Sequence, residues 1–253
     1  MERTFDGKVA LVTGASGGIG AETARHLARQ GARVAVVARR DEQSQAVVEQ
    51  IRDTGGQAVF VCADVSNRDS VEGMVHEVVA WGGGLDIAVN NAAILGDPGA
   101  STADLDPRVW DEVIQTNLYG LFYCLQAEIR VMRDNGGAIV NVLSTGALRA
   151  AGAVAPYVAS KHAGLGLTYT AAHEEIKNGI RINALCPGGT QTDMADMIKA
   201  GNPSLYDSLV AKYPIGRFAT PAEQAAVIAF LCGPDSSFIV GAPILTDGGF
   251  LLV

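Results

Sequence analysis

Tyr157 and Lys161 are four residues apart, a spacing that puts both side chains on one face of a helix, within reach of a common ligand. A phenol ordinarily ionises near 10, so exchanging a proton near neutrality requires roughly 4 kcal/mol of help for the phenolate. The Lys161 ammonium is the obvious source of that field. The spacing alone also arises by chance, and its weight comes from the groups around it. Ser144 brings another hydroxyl, although by itself it reads more readily as an ordinary strand-end serine. A second kind of chemistry is written into Thr13-Gly14-Ala15-Ser16-Gly17-Gly18-Ile19-Gly20. Without Cβ atoms the backbone can approach a diphosphate, and a helix opening there, through Gln30, offers unsatisfied N–H groups and a partial positive charge.

Short β-branched runs alternate with amphipathic segments of helical length, and Val9–Val12, Arg33–Ala38, Ala58–Ala63, Leu85–Asn90, Ala138–Leu143, Arg181–Cys186 and Ile244–Thr246 read as strands. Pro107 after Asp106 and Pro221 after Thr220 mark helix starts, and Asn178-Gly179 marks an end. The alternation implies an α/β fold: a single doubly wound, Rossmann-type domain with a seven-stranded parallel sheet flanked by helices on both faces. In such a sheet, ligands sit beyond the carboxyl ends of the strands, near the point where strand order reverses. The residues there are the glycine-rich turn, Arg39-Arg40, Asp64-Val65, Asn91-Ala92-Ala93, Ser144 and Pro187 to Thr192. Asn117 falls inside a helix expected from about Pro107 to Arg133, where Asn is a poor helix former; it reads as functional or as solvent-facing.

Composition narrows the partners. A net charge of −8 repels phosphate polymers, so neither nucleic acid nor an anionic membrane is expected, and a small molecule is. Cys62, Cys124, Cys186 and Cys232 lie far apart, and His26, His76, His162 and His173 form no metal-ligand pattern, so reduced thiols and no metal are expected. The charged start, Met1 to Lys8, leads directly into a strand-like run, and no apolar stretch reaches membrane-spanning length. No signal peptide and a cytoplasmic location are the expectation.

The Gly14-xxx-Gly18-x-Gly20 spacing, Asn90-Asn91-Ala92-Ala93, Tyr157-Val-Ala-Ser-Lys161, Pro187-Gly188-Gly189-Thr190-Gln191-Thr192 and Thr246-Asp247-Gly248-Gly249 occur in an order that resembles the short-chain dehydrogenase/reductase family. The likeness spans about residues 5 to 250, with Ala93 standing where the family usually has glycine. It implies an NAD(P)(H)-dependent oxidoreductase interconverting a ketone and a secondary alcohol: Tyr157 exchanges the proton, Lys161 also bonds the nicotinamide ribose, Ser144 positions the substrate oxygen, and Asn117 holds a water that links Lys161 to solvent. Asp64-Val65 would hold the adenine, although Asp64 also reads as a turn initiator.

With no acid ending the second strand, Arg39 and Arg40 favour NADP(H) over NAD(H), Arg39 being the expected 2′-phosphate contact. The competing reading is a solvated strand exit, and Gly17 stands where many NADP-using relatives are basic. The segment 192–215, with Met194, Met197, Ile198, Leu205 and Leu209, resembles a substrate lid. Together with Ile94, Leu95 and Leu148 it would make an apolar pocket, unless it is a plain core helix. Arg130, Arg133 and Arg149 keep a 3-oxoacyl-carrier-protein reductase in view; a sugar dehydrogenase and a cofactor-binding regulator or scaffold also fit the sequence. Ala159, Ala163, Gly164 and Gly166 suit close helix packing, within the chain or, by resemblance, across the interface of a homotetramer.

Overall fold

The central runs of Val, Ile, Leu and Ala are buried on both faces, as a parallel sheet covered on both sides demands. The computed structural model describes residues 4–253, apart from the side chains of Asp193, Met194 and Met197. The pocket role expected of Met194 and Met197 therefore lies outside the described residues, as does the charged start at Met1–Arg3. The strands are β1 (Val9–Thr13), β2 (Arg33–Ala38), β3 (Gln57–Cys62), β4 (Ile87–Asn90), β5 (Gly137–Val142), β6 (Ile180–Pro187) and β7 (Pro243–Thr246). They pair in parallel in the order β3-β2-β1-β4-β5-β6-β7. All seven expected strands are present, each within two residues of its expected limits.

The helices are α1 (Gly18–Arg29), α2 (Asp41–Asp53), α3 (Arg68–Gly82), α4 (Pro107–Ile114), α5 (Gly120–Met132), α6 (Ala155–Glu175), α7 (Asp193–Gly201), α8 (Pro203–Val210) and α9 (Pro221–Cys232). Strand alternation splits the apolar side chains between two cores. Val9, Leu11, Ala35 and Val37 face a core closed by α3, α5 and α6. Ala10, Val12, Val34 and Val36 face a core closed by α1, α2 and α9. The helix punctuation acts as expected: the Asp106 carboxylate accepts the Arg108 N–H at 2.9 Å with Pro107 in the first turn, and Thr220 and Glu223 form a reciprocal capping box. Gly179 takes the left-handed conformation that ends the segment after α6.

One expectation is corrected. The helix from Pro107 to Arg133 is not regular: between α4 and α5 the chain forms a π turn over Gln115–Tyr119, with Asn117 at its centre. The wider turn releases backbone bonding that a regular helix would keep, and such turns collect at functional sites. No helix among the described residues is long and apolar enough to cross a membrane.

The C-terminal end of α9 is held by Arg181 at the start of β6. Its Nη1 donates to the carbonyls of Leu231 (2.9 Å) and Ser236 (3.1 Å), and its Nη2 to those of Gly233 (3.0 Å) and Cys232 (3.3 Å). Carbonyls at a helix end have no intrahelical partner of their own. Arg181→Ala should therefore lower the urea unfolding free energy by about 1–3 kcal/mol, the cost of leaving such acceptors unsatisfied.

Candidate active site

Strand order reverses between β1 and β4, which opens a crevice beyond their carboxyl ends. The glycine-rich turn leaves β1 into this crevice. Gly14 has φ +64° and Gly18 φ +55°, a region costly for any residue with a Cβ. A Cβ on Gly14 would lie 2.9 Å from the Ala92 Cα, and one on Gly20 would lie 2.5 Å from the Gly14 carbonyl oxygen. The two loops are stitched together: the N–H groups of Asn91 and Ala92 donate to Thr13 Oγ1 at 3.0 and 3.1 Å, and Asn91 Nδ2 donates to the carbonyls of Thr13 and Gly14. At the start of α1, Gly17 offers no side-chain cap and the first turn holds no acid, so its N–H groups are left for an anion. The turn therefore fits a diphosphate.

Beside it lies a cavity of about 420 Å³ bordered by Gly14, Ser16, Arg39, Arg40, Val65 and Asn91. Arg40 reaches back over the turn, donating to Ser16 Oγ at 2.8 and 3.0 Å. Arg39 Nη1 stands 3.7 Å from Asp64 Oδ2. Burial acts to raise the Asp64 carboxyl, but hydrogen bonds from Ser66 and the charge of Arg39 outweigh it and hold it below its ordinary value. Asp64 thus acts as a turn initiator, accepting the Ser66 N–H, while also facing this cavity's arginine.

A second cavity of about 310 Å³ adjoins the first at Asn91 and Ala93, and its wall carries Ile19, Ser144, Tyr157, Lys161, Pro187, Gly188, Thr190 and Thr192. Ser144 ends the loop after β5; its Oγ accepts the Gly146 N–H at 3.0 Å, and its hydroxyl shares the cavity wall with the Tyr157 phenol and acts to lower it. Lys161 is 4% exposed, donates to the Val142 carbonyl at 3.0 Å, and places Nζ 5.4 Å from the centre of the Tyr157 ring. Burial pulls the Lys161 ammonium down to about 8, against a smaller opposing effect of Cys186. The Tyr157 phenol is pushed above its ordinary value by burial, with the Ser144 hydroxyl as the counterweight. Among the protein's own groups desolvation wins, and the expected lowering of that phenol counts the positive nicotinamide beside Lys161.

Asn117 is buried, which removes its solvent-facing reading. Its Oδ1 accepts the Ile94 N–H at 2.8 Å, and its Nδ2 donates to the Ile94 carbonyl at 2.8 Å and to Ser160 Oγ at 3.2 Å. The π turn aims this amide so that the loop after β4 is tied to α6 one residue before Lys161.

The far wall was not foreseen from the sequence. Tyr213 carries no motif, yet its hydroxyl accepts the Gly189 N–H at 2.7 Å, and its ring stacks on Phe250 (4.8 Å) and meets Phe218 edge-on (5.3 Å). A further cavity of about 780 Å³, bordered by Leu95, Leu209, Tyr213, Phe218 and Phe250, shares Gly189, Leu209 and Phe218 with the one that carries Tyr157 and Lys161. Of the expected pocket residues, Ile198 and Leu209 border the cavity of Tyr157 and Lys161 and Ile94 the first one, whereas Leu148 and Leu205 are exposed. The only sequence signal for the aromatic wall is a pair of rings in the short run 213–218 and a third in the C-terminal turn.

A family model described as Enoyl-(Acyl carrier protein) reductase matches residues 14–251. The chain is 38% identical to the 3beta-hydroxysteroid dehydrogenase of Mediterraneibacter gnavus, over 97% of this chain and 95% of that one. It is 41% identical to the A-factor type gamma-butyrolactone 1'-reductase (1S-forming) of Streptomyces virginiae, over 97% and 96%. A solved variant of actinorhodin polyketide ketoreductase with NADPH superposes with a TM-score of 0.91 at 35% identity, covering 99% of each chain.

Gly14→Ala should cost at least about 1–2 kcal/mol through its positive φ alone. It should also displace Ala92, so urea denaturation and fluorescence titration with a reduced nicotinamide dinucleotide should both show losses.

Proposed function

The chain belongs to the short-chain dehydrogenase/reductase family and is an oxidoreductase of that family, and from that premise we propose that it interconverts a ketone and a secondary alcohol on a small, apolar-bodied substrate. The observation that carries this reading is that Ser144, Tyr157 and Lys161 line one cavity next to the diphosphate-sized turn, with the Lys161 ammonium 5.4 Å from the centre of the Tyr157 ring.

Bound nicotinamide supplies the hydride in one direction and accepts it in the other. Tyr157 exchanges the proton at the substrate oxygen, and Ser144, itself fixed by the Gly146 N–H, holds that oxygen in place. Lys161 bonds the ribose hydroxyls and brings the positive charge that Tyr157 needs, a charge it keeps below about pH 8. Asn117 positions both by clamping Ile94 to Ser160. Gly14, Ser16, Gly17, Gly18, Ile19 and Gly20 take the diphosphate, Asp64 and Val65 the adenine. Asn91, Ala92, Ala93 and the loop of Pro187, Gly188, Thr190 and Thr192 take the nicotinamide half.

NADP(H) is the favoured cofactor because two guanidiniums border the cavity beside Ser16 with no acid ending β2. The 192–215 segment, now α7 and α8, serves as the substrate lid, with the Tyr206 hydroxyl donating to Gln191 at 2.8 Å. Arg133 is engaged by Glu175, Arg130 faces Glu72, and Arg149 donates to main-chain carbonyls, which supports a small molecule over an acidic carrier protein. Exposed Trp110, Tyr119, Phe122 and Tyr169 along α4 to α6 support a homo-oligomer, a tetramer by resemblance.

Tyr157→Phe should cut turnover by about 10²–10⁴-fold in a nicotinamide absorbance assay over a panel of ketones and secondary alcohols, while cofactor affinity stays nearly unchanged; substantial residual activity would remove Tyr157 from the proton step. Arg39→Ala should weaken NADPH by about 10–100-fold, the loss of a charge-assisted hydrogen bond, and leave NADH little affected. Equal weakening would return both arginines to a solvated strand exit.

A further inference from the structure

Glu128, on α5, is fully buried against the sheet and is not needed by the chemistry proposed above. Its surroundings fix every donor direction. The Gly164 carbonyl can only accept, so Thr168 donates to it at 2.8 Å. Thr168 Oγ1 therefore accepts from Asn141 Nδ2 at 2.9 Å, which leaves Asn141 Oδ1 as an acceptor. Asn90 Nδ2 fills that acceptor at 3.1 Å and donates its other hydrogen to Glu128 Oε2 at 2.9 Å. Turning the Asn90 amide over would set oxygen against oxygen at both contacts. Two buried atoms remain without a donor, Asn90 Oδ1 and Glu128 Oε1. They sit on the two side chains that the Asn90–Glu128 hydrogen bond joins, and a proton on Oε1 directed at Oδ1 would give both a partner.

We propose that Glu128 is a neutral carboxylic acid below neutrality, donating its O–H to the Asn90 amide oxygen, and that this acid–amide pair positions the Asn91-Ala92-Ala93 loop of the site. Among the described residues no cation is placed to stabilise the ionised form. On α5 the neighbour is the Cys124 thiol, raised by burial and by Glu128 itself. From the sheet come Asn90 and Asn141, and from α6 Thr168. Lys161 of α6 shares only a void of about 10 Å³ with Asn90 and Cys124, and donates elsewhere. Toward α3, Glu72 is taken by Arg68 and Arg130 at the surface, and Arg133 by Glu175. A bare carboxylate in such a setting is costly. Burial accordingly pushes the Glu128 carboxyl to about 7, against the opposing hydrogen bond from Asn90.

The sign of the linkage follows. A carboxyl raised in the folded state gives stability that is complete below its ordinary value of 4.5 and is lost as pH rises through about 7. This rests on the packing of Glu128 and not on the reaction assigned above, so the two can fail separately.

Infrared spectra of the wild-type protein at about pH 6, where other carboxyls are ionised, should contain a protonated-carboxyl band that disappears in Glu128→Gln. That variant keeps the pairing, since its amide N–H replaces the acid O–H. The ratio of wild-type to variant unfolding constants should rise up to about tenfold per pH unit between about 5 and 7, then level off. An ionised carboxyl at pH 6 would mean that a water, not a proton, satisfies the pair. That result, or a pH-independent ratio with Glu128→Gln the less stable protein, would overturn the proposal.

Discussion

The site depends on one unfavourable act, carrying the Lys161 ammonium out of water. At 4% exposure, with a backbone carbonyl as its hydrogen-bond partner, the charge survives only because the surrounding frame holds that carbonyl and the helix in fixed relation. Val142 offers the carbonyl at the end of β5. Gly164 lets α6 approach so closely that a Cβ there would lie 2.9 Å from Leu143 and 3.1 Å from Leu121. Asn117 then ties the neighbouring Ser160 to the loop after β4. Strand, helix and loop are thus adjusted to one nitrogen atom.

Desolvation shapes the rest of the chemistry as well. It lifts the Tyr157 phenol where spacing alone implied that a nearby ammonium would depress it. A four-residue interval reports that two side chains share a face, but not how much water each has lost. The acidity of that phenol is therefore a property of the loaded site and not of a Tyr–Lys pair by itself, and among the described residues the Ser144 hydroxyl is the counterweight to burial.

The sheet was legible because strand formation here is a matter of period and burial: Val9–Thr13 and Arg33–Ala38 are buried almost throughout, and turn residues bound them. The glycine turn was legible for a related reason, since positive φ and close backbone approach admit nothing larger. What escaped is what depends on three-dimensional partners. The π turn at Asn117 goes with tertiary partners, Ile94 and Ser160, that the local sequence does not name. Tyr213, Phe218 and Phe250 meet only after the loop past β6 and the C-terminal turn fold toward each other. Glu128 has the sequence context of an ordinary helix acid, and only the donor directions of Asn90, Asn141 and Thr168 set it apart.

The exit of β2 differs from all of this. Ala38 is buried, and the two side chains that follow it project into solvent, contributing contacts to Ser16 and Asp64 but none to either core. Substitutions at those two positions are insulated from folding in a way that no change at Gly14, Asn117 or Lys161 could be. Selection, or a protein engineer, is therefore free to retune the electrostatics of that rim without first securing a stabilising change elsewhere. The scaffold can diversify at this margin while its interior stays fixed.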